Sequence, residues 1–243
     1  MARELRDVLH YFLDDEPGRT APLSCPVVAA PCRREDSGRS ALLWRLALEM
    51  RSLGRAAALV APAPEAEGSG WRDLELEGLE PGFVPLGHGR LDRLARRVLE
   101  TREQLAGDTQ PLVLVQVPTD LPWPQGIGDL LGHCWLVAST GDRDRAEFLS
   151  LCERVLAVVP KARVGVTVRG ADSLSAARAA FESLAELFEA RFDRALLSYG
   201  LVLDEHELYP TVARRRAPGG ARPGTRATRT LRDAAALLRG DLE

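Results

Sequence analysis

The sequence predicts an α/β fold: a doubly wound, mainly parallel sheet with helices on both faces. Three observations lead there. Short runs that are apolar on both faces, such as P-V-V-A-A-P at 26–31 and P-L-V-L-V-Q-V at 111–117, suit strands buried on both sides. These runs alternate with stretches of ten or more residues that carry apolar positions at helical period. The chain has 243 residues, 45% of them hydrophobic, enough to bury one sizeable core. Right-handed crossovers in such a sheet leave a ligand crevice at the carboxyl ends of the strands.

The elements follow in order. Residues 3–13 set Leu5, Val8, Leu9, Phe12 and Leu13 on one helical stripe, and the acidic D-D-E-P-G after them ends that helix. The expected organisation is therefore an amphipathic helix and linker over 1–22 and an α/β domain over 23–243. The strand at 26–31 leads into a polar loop at 32–37 and a helix from Gly38 to near Gly54, with Leu42, Leu43, Leu46, Leu48 and Met50 apolar. A second strand, 56–61, precedes a Pro/Ala/Glu/Gly loop, and F-V-P-L at 83–86 is a short strand. The charged helix at 90–106 turns Leu91, Leu94, Val98 and Leu105 inward. Strands at 111–117, 134–139 and 163–168 continue the series, with a helix over 143–158 between the last two. A long helix at 172–192 carries Leu174, Ala177, Phe181, Leu184, Leu187 and Phe188. The strand 196–203, a short basic helix at 206–216 and a terminal helix at 228–239 complete the reading.

Composition excludes several classes. With 5% aromatics the core must be aliphatic, and a net charge of −3 excludes a dedicated polyanion binder. No run of 18 apolar residues exists, so no helix is expected to span a membrane. The opening M-A-R-E-L-R-D is unlike a secretory signal. Cys25, Cys32, Cys134 and Cys152 form no C-x-x-C pair and have no histidine at zinc spacing. They read as reduced, mostly buried thiols of a cytoplasmic protein. Lys161 is the single lysine, so an arginine where lysine is expected carries less weight than usual.

A buried strand, a short polar loop and a helix opening G-R-S have the layout of a phosphate-binding loop, in which backbone N–H groups at a helix N-terminus hold phosphates. Along its length the chain resembles the MinD/ParA family of P-loop ATPases and, within it, the FlhG-type branch that regulates flagellar number and placement. The family's first strand runs into K-G-G-x-G-K-[ST], and V-V-A-A-P-C-R-R-E-D-S-G-R-S has the same spacing. The resemblance implies that Gly38 takes the place of the last glycine, Arg39 of the Walker lysine, Ser40 of the magnesium hydroxyl and Arg34 of the signature lysine. G-R-A-A-A-L-V-A-P-A resembles the family's second strand, and P-L-V-L-V-Q-V-P its Walker B segment. V-G-V-T-V-R-G-A-D-S, the helix after it and L-L-S-Y-G-L-V-L-D-E-H-E-L stand where FlhG-type chains have their counterparts. The resemblance covers about residues 24–239.

The departures fall on one place. Glu35 and Asp36 replace the glycines between the two lysine positions, and a carboxylate about 4 Å from a phosphate charge is repelled by about 4 kcal/mol at an effective dielectric near 20. The family's aspartates after the second strand fall on Ala61 and Ala63, and the Walker B aspartate on Gln116. Its adenine-reading Asn falls on Arg169, and the Pro near the base on Leu203. Phosphoryl transfer needs the metal and charge stabilisation that these groups supply. The reading is a pseudo-ATPase with a vestigial phosphate loop, no catalytic residue, no metal and no cofactor. It would act as a non-catalytic regulatory or scaffold protein in the cytoplasm, in flagellar or other polar-machinery placement.

Two other classes stay open. A working ATPase would bind ATP with Mg²⁺ in a remodelled site, dimerise on it, and draw acidic ligands from Asp36, Asp120 or Asp142. An unrelated doubly wound enzyme would use the same crevice. Cys32 beside a helix N-terminus is either a low-pKa thiol or a plain loop cysteine. Arg33, Arg34 and Arg39 either form an anion pocket or pair with Glu35 and Asp36. His10, His88, His133 and His206 are dispersed and read as surface or capping residues. The basic C-terminal stretch from Arg214 to Arg232 lacks interleaved aromatics after Tyr209, so no specific nucleic acid is expected. The sequence closes on R-G-D-L-E, so the membrane-targeting helix of some relatives is not expected. A protein partner is expected on Leu5, Leu9 and Phe12, where FlhG-type chains engage a GTPase, unless that helix packs on its own sheet; a homodimer is a further expectation.

Overall fold

The computed structural model describes residues 25–64, 69–72, 74, 76, 78–79, 81–86, 91–203 and 225–243. The expected N-terminal helix with Leu5, Leu9 and Phe12, its boundary at residue 22 and the basic helix at 206–216 lie outside these residues. Seven strands form one sheet: β1 (Val27–Cys32), β2 (Ala57–Pro62), β3 (Gly82–Val84), β4 (Leu112–Pro118), β5 (His133–Ser139), β6 (Arg163–Arg169) and β7 (Leu197–Val202). Their order is β3-β2-β4-β1-β5-β6-β7, with every pairing parallel. β4 lies between β1 and β2, with Val27 opposite Val113 and Ala58 opposite the same residue. This sets the loop after β1 at the carboxyl edge, between the ends of its neighbours.

Among the described residues five helices cover the sheet: α1 (Ser37–Ser52), α2 (Asp92–Gln104), α3 (Asp142–Val158), α4 (Leu174–Phe192) and α5 (Arg226–Leu242). Alternation along each strand divides the core into two layers. On one face Val28, Ala30, Leu112 and Leu114 meet Leu42, Leu46 and Met50 of α1 and Leu231, Ala235 and Leu238 of α5. On the other, Ala29, Val113, Val115 and Val117 meet Leu94 and Val98 of α2, Phe148 and Val155 of α3, and Leu184 and Phe188 of α4. Side chains of this kind each contribute roughly 1.5–3 kcal/mol on burial.

The structure corrects several expectations. Leu174 and Leu187 are 62% and 42% exposed, although Ala177, Leu184 and Phe188 are buried. Positions 177, 184 and 188 share one stripe at a 3.6-residue period; 187 lies about 100° around the helix from 188, and 174 opens the first turn. A 3-10 helix at Gln125–Leu130 was not anticipated. The four cysteines, by contrast, are free and buried as expected.

His133 is buried, not a surface histidine. Its Nε2 lies 2.6 Å from Tyr199 Oη, and Tyr199 donates to Asp241 Oδ2 at 2.6 Å. Tyr199 has one proton and gives it to Asp241, so His133 carries its own proton on Nε2 and donates it. Arg163 also pairs with Asp241, which ties the end of α5 to the amino edge of the sheet. Only glycine fits at 165, because a Cβ there would come 1.9 Å from the Tyr199 ring.

Candidate functional site

The strand–loop–helix at residues 27–40 forms because Val28 to Ala30 are apolar on both faces and Asp36 is a strong N-cap. The first N–H groups of a helix lack intrahelical partners and attract anions. Here Asp36 Oδ1 accepts the Arg39 N–H at 2.8 Å. The chain's own carboxylate takes the role that a phosphate takes at such a terminus. Gly38 sits in the first turn of α1.

Arg39 spans from the loop to α3 and β5. Its guanidinium lies 3.3 Å from both Asp36 and Glu147, and Nη2 donates to the Val137 carbonyl on β5 at 3.4 Å. Its Nε is buried without a hydrogen-bond partner. Arg34 turns the other way, and its partner is Asp120, not Glu35 or Asp36. Nε donates to Asp120 Oδ2 at 2.6 Å and the backbone N–H to Oδ1 at 3.1 Å. Burial raises the Asp120 carboxyl, but these hydrogen bonds outweigh it and hold the group below its ordinary range. Arg33 and Glu35 form an exposed pair at 3.6 Å, worth little.

Beneath the loop is a closed network. Ser40 and Gln116 are both 0% exposed. Gln116 Nε2 donates to Ser40 Oγ at 3.3 Å and to Cys32 Sγ at 3.1 Å, while its Oε1 accepts the indole N–H of Trp71. Both amide protons and the carbonyl are thereby used. Cys32 ends β1 and is no loop cysteine; burial pushes its thiol up to about 12, so it has none of the low-pKa character of a reactive thiol. Ala61 and Ala63, at the family's aspartate positions, are buried as well.

Trp71 closes the network, 2% exposed and edge-on to Phe83 at 5.8 Å. Gly70 beside it donates its N–H to the Arg34 carbonyl at 2.6 Å. A Cβ at Gly70 would meet Ser37 N at 2.8 Å and the Asp36 carbonyl carbon at 2.9 Å, so only glycine lets this backbone lie on the loop. Sequence reasoning missed both residues. The signal was there: one tryptophan in a stretch otherwise poor in bulky apolar residues has to be buried somewhere.

The turn after β4 is fixed too. Trp123 Nε1 donates to the Pro118 carbonyl at 2.8 Å, and Arg154 donates to the carbonyls of Thr119 and Leu121 at 2.5 and 2.7 Å while lying 4.0 Å over the Trp123 ring. Asp120, one of the three alternative metal ligands, is held against Arg34 by this turn, and Asp36 is spent as a cap. The side chain of Asp142 is outside the described residues. Among the described residues no group of three or more His, Cys, Asp or Glu stands together as a metal cluster. Arg169 ends β6 half-buried, and Leu203 is buried. No described helix is long and apolar enough to cross a membrane.

No protein-family model matches this sequence, and no curated protein does. Solved structures do. The MinD cell division protein of Aquifex aeolicus is 14% identical with a TM-score of 0.62, over 88% of this chain and 97% of that one. The MinC:MinD cell division protein complex of the same organism matches at 15% identity and a TM-score of 0.56, over 88% and 96%. A ParA family ATPase from Chlorobium tepidum is 11% identical with a TM-score of 0.53, over 87% and 98%. At such identities the likeness carries the fold, and the fold is that of the MinD/ParA P-loop ATPases.

Proposed function

We propose that this MinD/ParA-like chain is a non-catalytic regulatory or scaffold protein, FlhG-like in kind, that works in the cytoplasm through protein–protein contacts. The observation that carries the reading is the hydrogen bond from the Gln116 amide to the fully buried Ser40 hydroxyl. In an active phosphate loop that hydroxyl faces Mg²⁺, and a carboxylate stands behind it. Here a neutral amide stands at that carboxylate's position and donates a proton to the hydroxyl oxygen, where an acidic group would have accepted one. The donor set does not fit ATP with Mg²⁺: Asp36 presents a carboxylate to the helix terminus, Arg39 is committed to Glu147 and β5, and residues 61, 63 and 116 supply no acidic ligand. Gly38, Arg39, Ser40 and Arg34 are then the remains of a phosphate loop that now serves structure.

With no chemistry to perform, the chain acts by what it binds. The MinC:MinD complex is an instance of this fold assembling with another protein. Here the contact is assigned to the stripe of Leu5, Leu9 and Phe12, and the process to flagellar or other polar-machinery placement. Calorimetry with ATP and Mg²⁺ tests the core of the reading, with no binding heat expected. Low-micromolar affinity that is lost in Arg39→Ala or Ser40→Ala would overturn it in favour of a working ATPase that dimerises on the nucleotide. Arg39→Lys alone is expected to give no hydrolysis, because Gln116 and Ala61 still leave a metal without carboxylates.

A further inference from the structure

We propose that residues 69–71 are an internal strap that orders the vestigial phosphate loop in place of a ligand, an inference that rests on the non-catalytic reading above. Three contacts carry it. The backbone N–H of Gly70 reaches across to the Arg34 carbonyl at 2.6 Å, pinning the strap to the middle of the loop. The absent side chain at Gly70 lets the strap lie directly on Asp36 and Ser37, where a Cβ would collide with backbone atoms. Trp71 enters the buried layer and donates its indole N–H to Gln116, whose amide in turn holds Ser40 and Cys32 at the two ends of the same loop. One buried side-chain amide thus connects the strap, the last residue of β1 and the first turn of α1.

A phosphate loop is a run of backbone N–H groups that ordinarily takes its fixed shape around an anion. In this chain the same run is fixed from inside. Asp36 caps it, Trp71 and Gln116 brace it from below, and Gly70 holds it from the side. The small side chains of the same face make the room. Ala30 and Ala61 belong to the buried cluster that contains Trp71, and Ala61 falls level with Gln116 in the register that pairs Val60 with Val115. The loss of carboxylates and the entry of the indole are one rearrangement. The carboxyl-edge surface around residues 33–40 is therefore displayed in a single conformation whether or not nucleotide is present.

Hydrogen–deuterium exchange on the full-length chain tests this, reading the peptides that span 33–42 with and without ATP and Mg²⁺. Trp71→Phe keeps the ring and removes the donor; Gln116→Leu removes the hub; Gly70→Ala wedges the strap off the loop. Each is expected to speed exchange over 33–42 by roughly fivefold, the equivalent of one lost buried hydrogen bond. Trp135→Phe is the control. It also removes a buried indole donor of the same layer, which bonds Thr167 Oγ1 at 2.9 Å between β5 and β6, beyond β1 from Gln116, and it should leave 33–42 unchanged. Unchanged exchange over 33–42 in Trp71→Phe and Gly70→Ala would overturn the strap and leave the non-catalytic reading standing. Protection of 33–42 by ATP with Mg²⁺, in the natural chain or in Trp71→Phe, would overturn both, since the strap would then be a lid over a working site.

Discussion

Asp36 shows how much one side chain decides at the mouth of this site. Its Oδ1 caps α1, and its Oδ2 lies 3.3 Å from the Arg39 guanidinium. Asp36→Ala is expected to lower stability by about 1 kcal/mol, the usual worth of an N-cap. In a domain of this size that is a drop in melting temperature of about 2–4 °C by calorimetry. Asp36→Asn keeps the cap and loses the charge pairing, so it should fall between the two. The carboxylates at 35 and 36 were legible in the sequence because they stand where the resemblance calls for glycine. Their partners were only half legible. Arg33–Glu35 and Arg39–Asp36 are near neighbours, but Arg34 pairs with Asp120, and nothing short of the fold brings those two loops together.

Among the elements, α5 is held by the most sensitive contact. Burial, with Arg163 adding to it, holds His133 below its ordinary value, against the opposing pull of Asp241. Burial, together with the hydrogen bond to Asp241, holds the Tyr199 phenol well above its own, so it stays a donor. A folded-state histidine pKa below the unfolded one means that the unfolded chain binds the extra proton first. Stability from this contact is complete above about pH 6.5, the ordinary histidine value, and is lost as pH falls through that value toward the depressed folded one. Melting temperature followed from pH 8 to pH 5 should decline over that interval, and His133→Gln should flatten the decline. Gly165→Ala, which drives a methyl into the Tyr199 ring, should destabilise at every pH. The strands were legible because an apolar run between turn residues reads the same wherever it stands. The burial of His133 was not, because a polar residue at a strand's first position looks like a surface one until its cross-sheet partners are known. The misassigned Leu174 and Leu187 have the same origin: the period of α4 fixes a stripe, but only the sheet decides which way it points.

For the whole molecule, the doubly wound parallel sheet followed from the alternation of buried strands with helices. The central contact of the site did not, because Trp71 comes from a stretch with no periodicity and its partner lies 45 residues away. Partner binding belongs to this scale. Leu9→Asp and Phe12→Asp should melt like the natural chain and fail to co-purify the interactor from source cells. A large loss of melting temperature with an unchanged pull-down would instead make residues 1–16 part of the fold. The seating of Trp71 on Gln116 also shapes which sequences this chain can reach. One base change turns a glutamine codon into a glutamate codon, yet a carboxylate at 116 would lie fully buried among the uncharged Trp71, Ser40 and Cys32, at a cost in stability. A path toward an acidic residue at 116 therefore runs through chains that fold less well, unless the indole leaves first. Trp71 thus acts as a ratchet, and lineages carrying it are expected to keep position 116 uncharged for as long as they keep the ring.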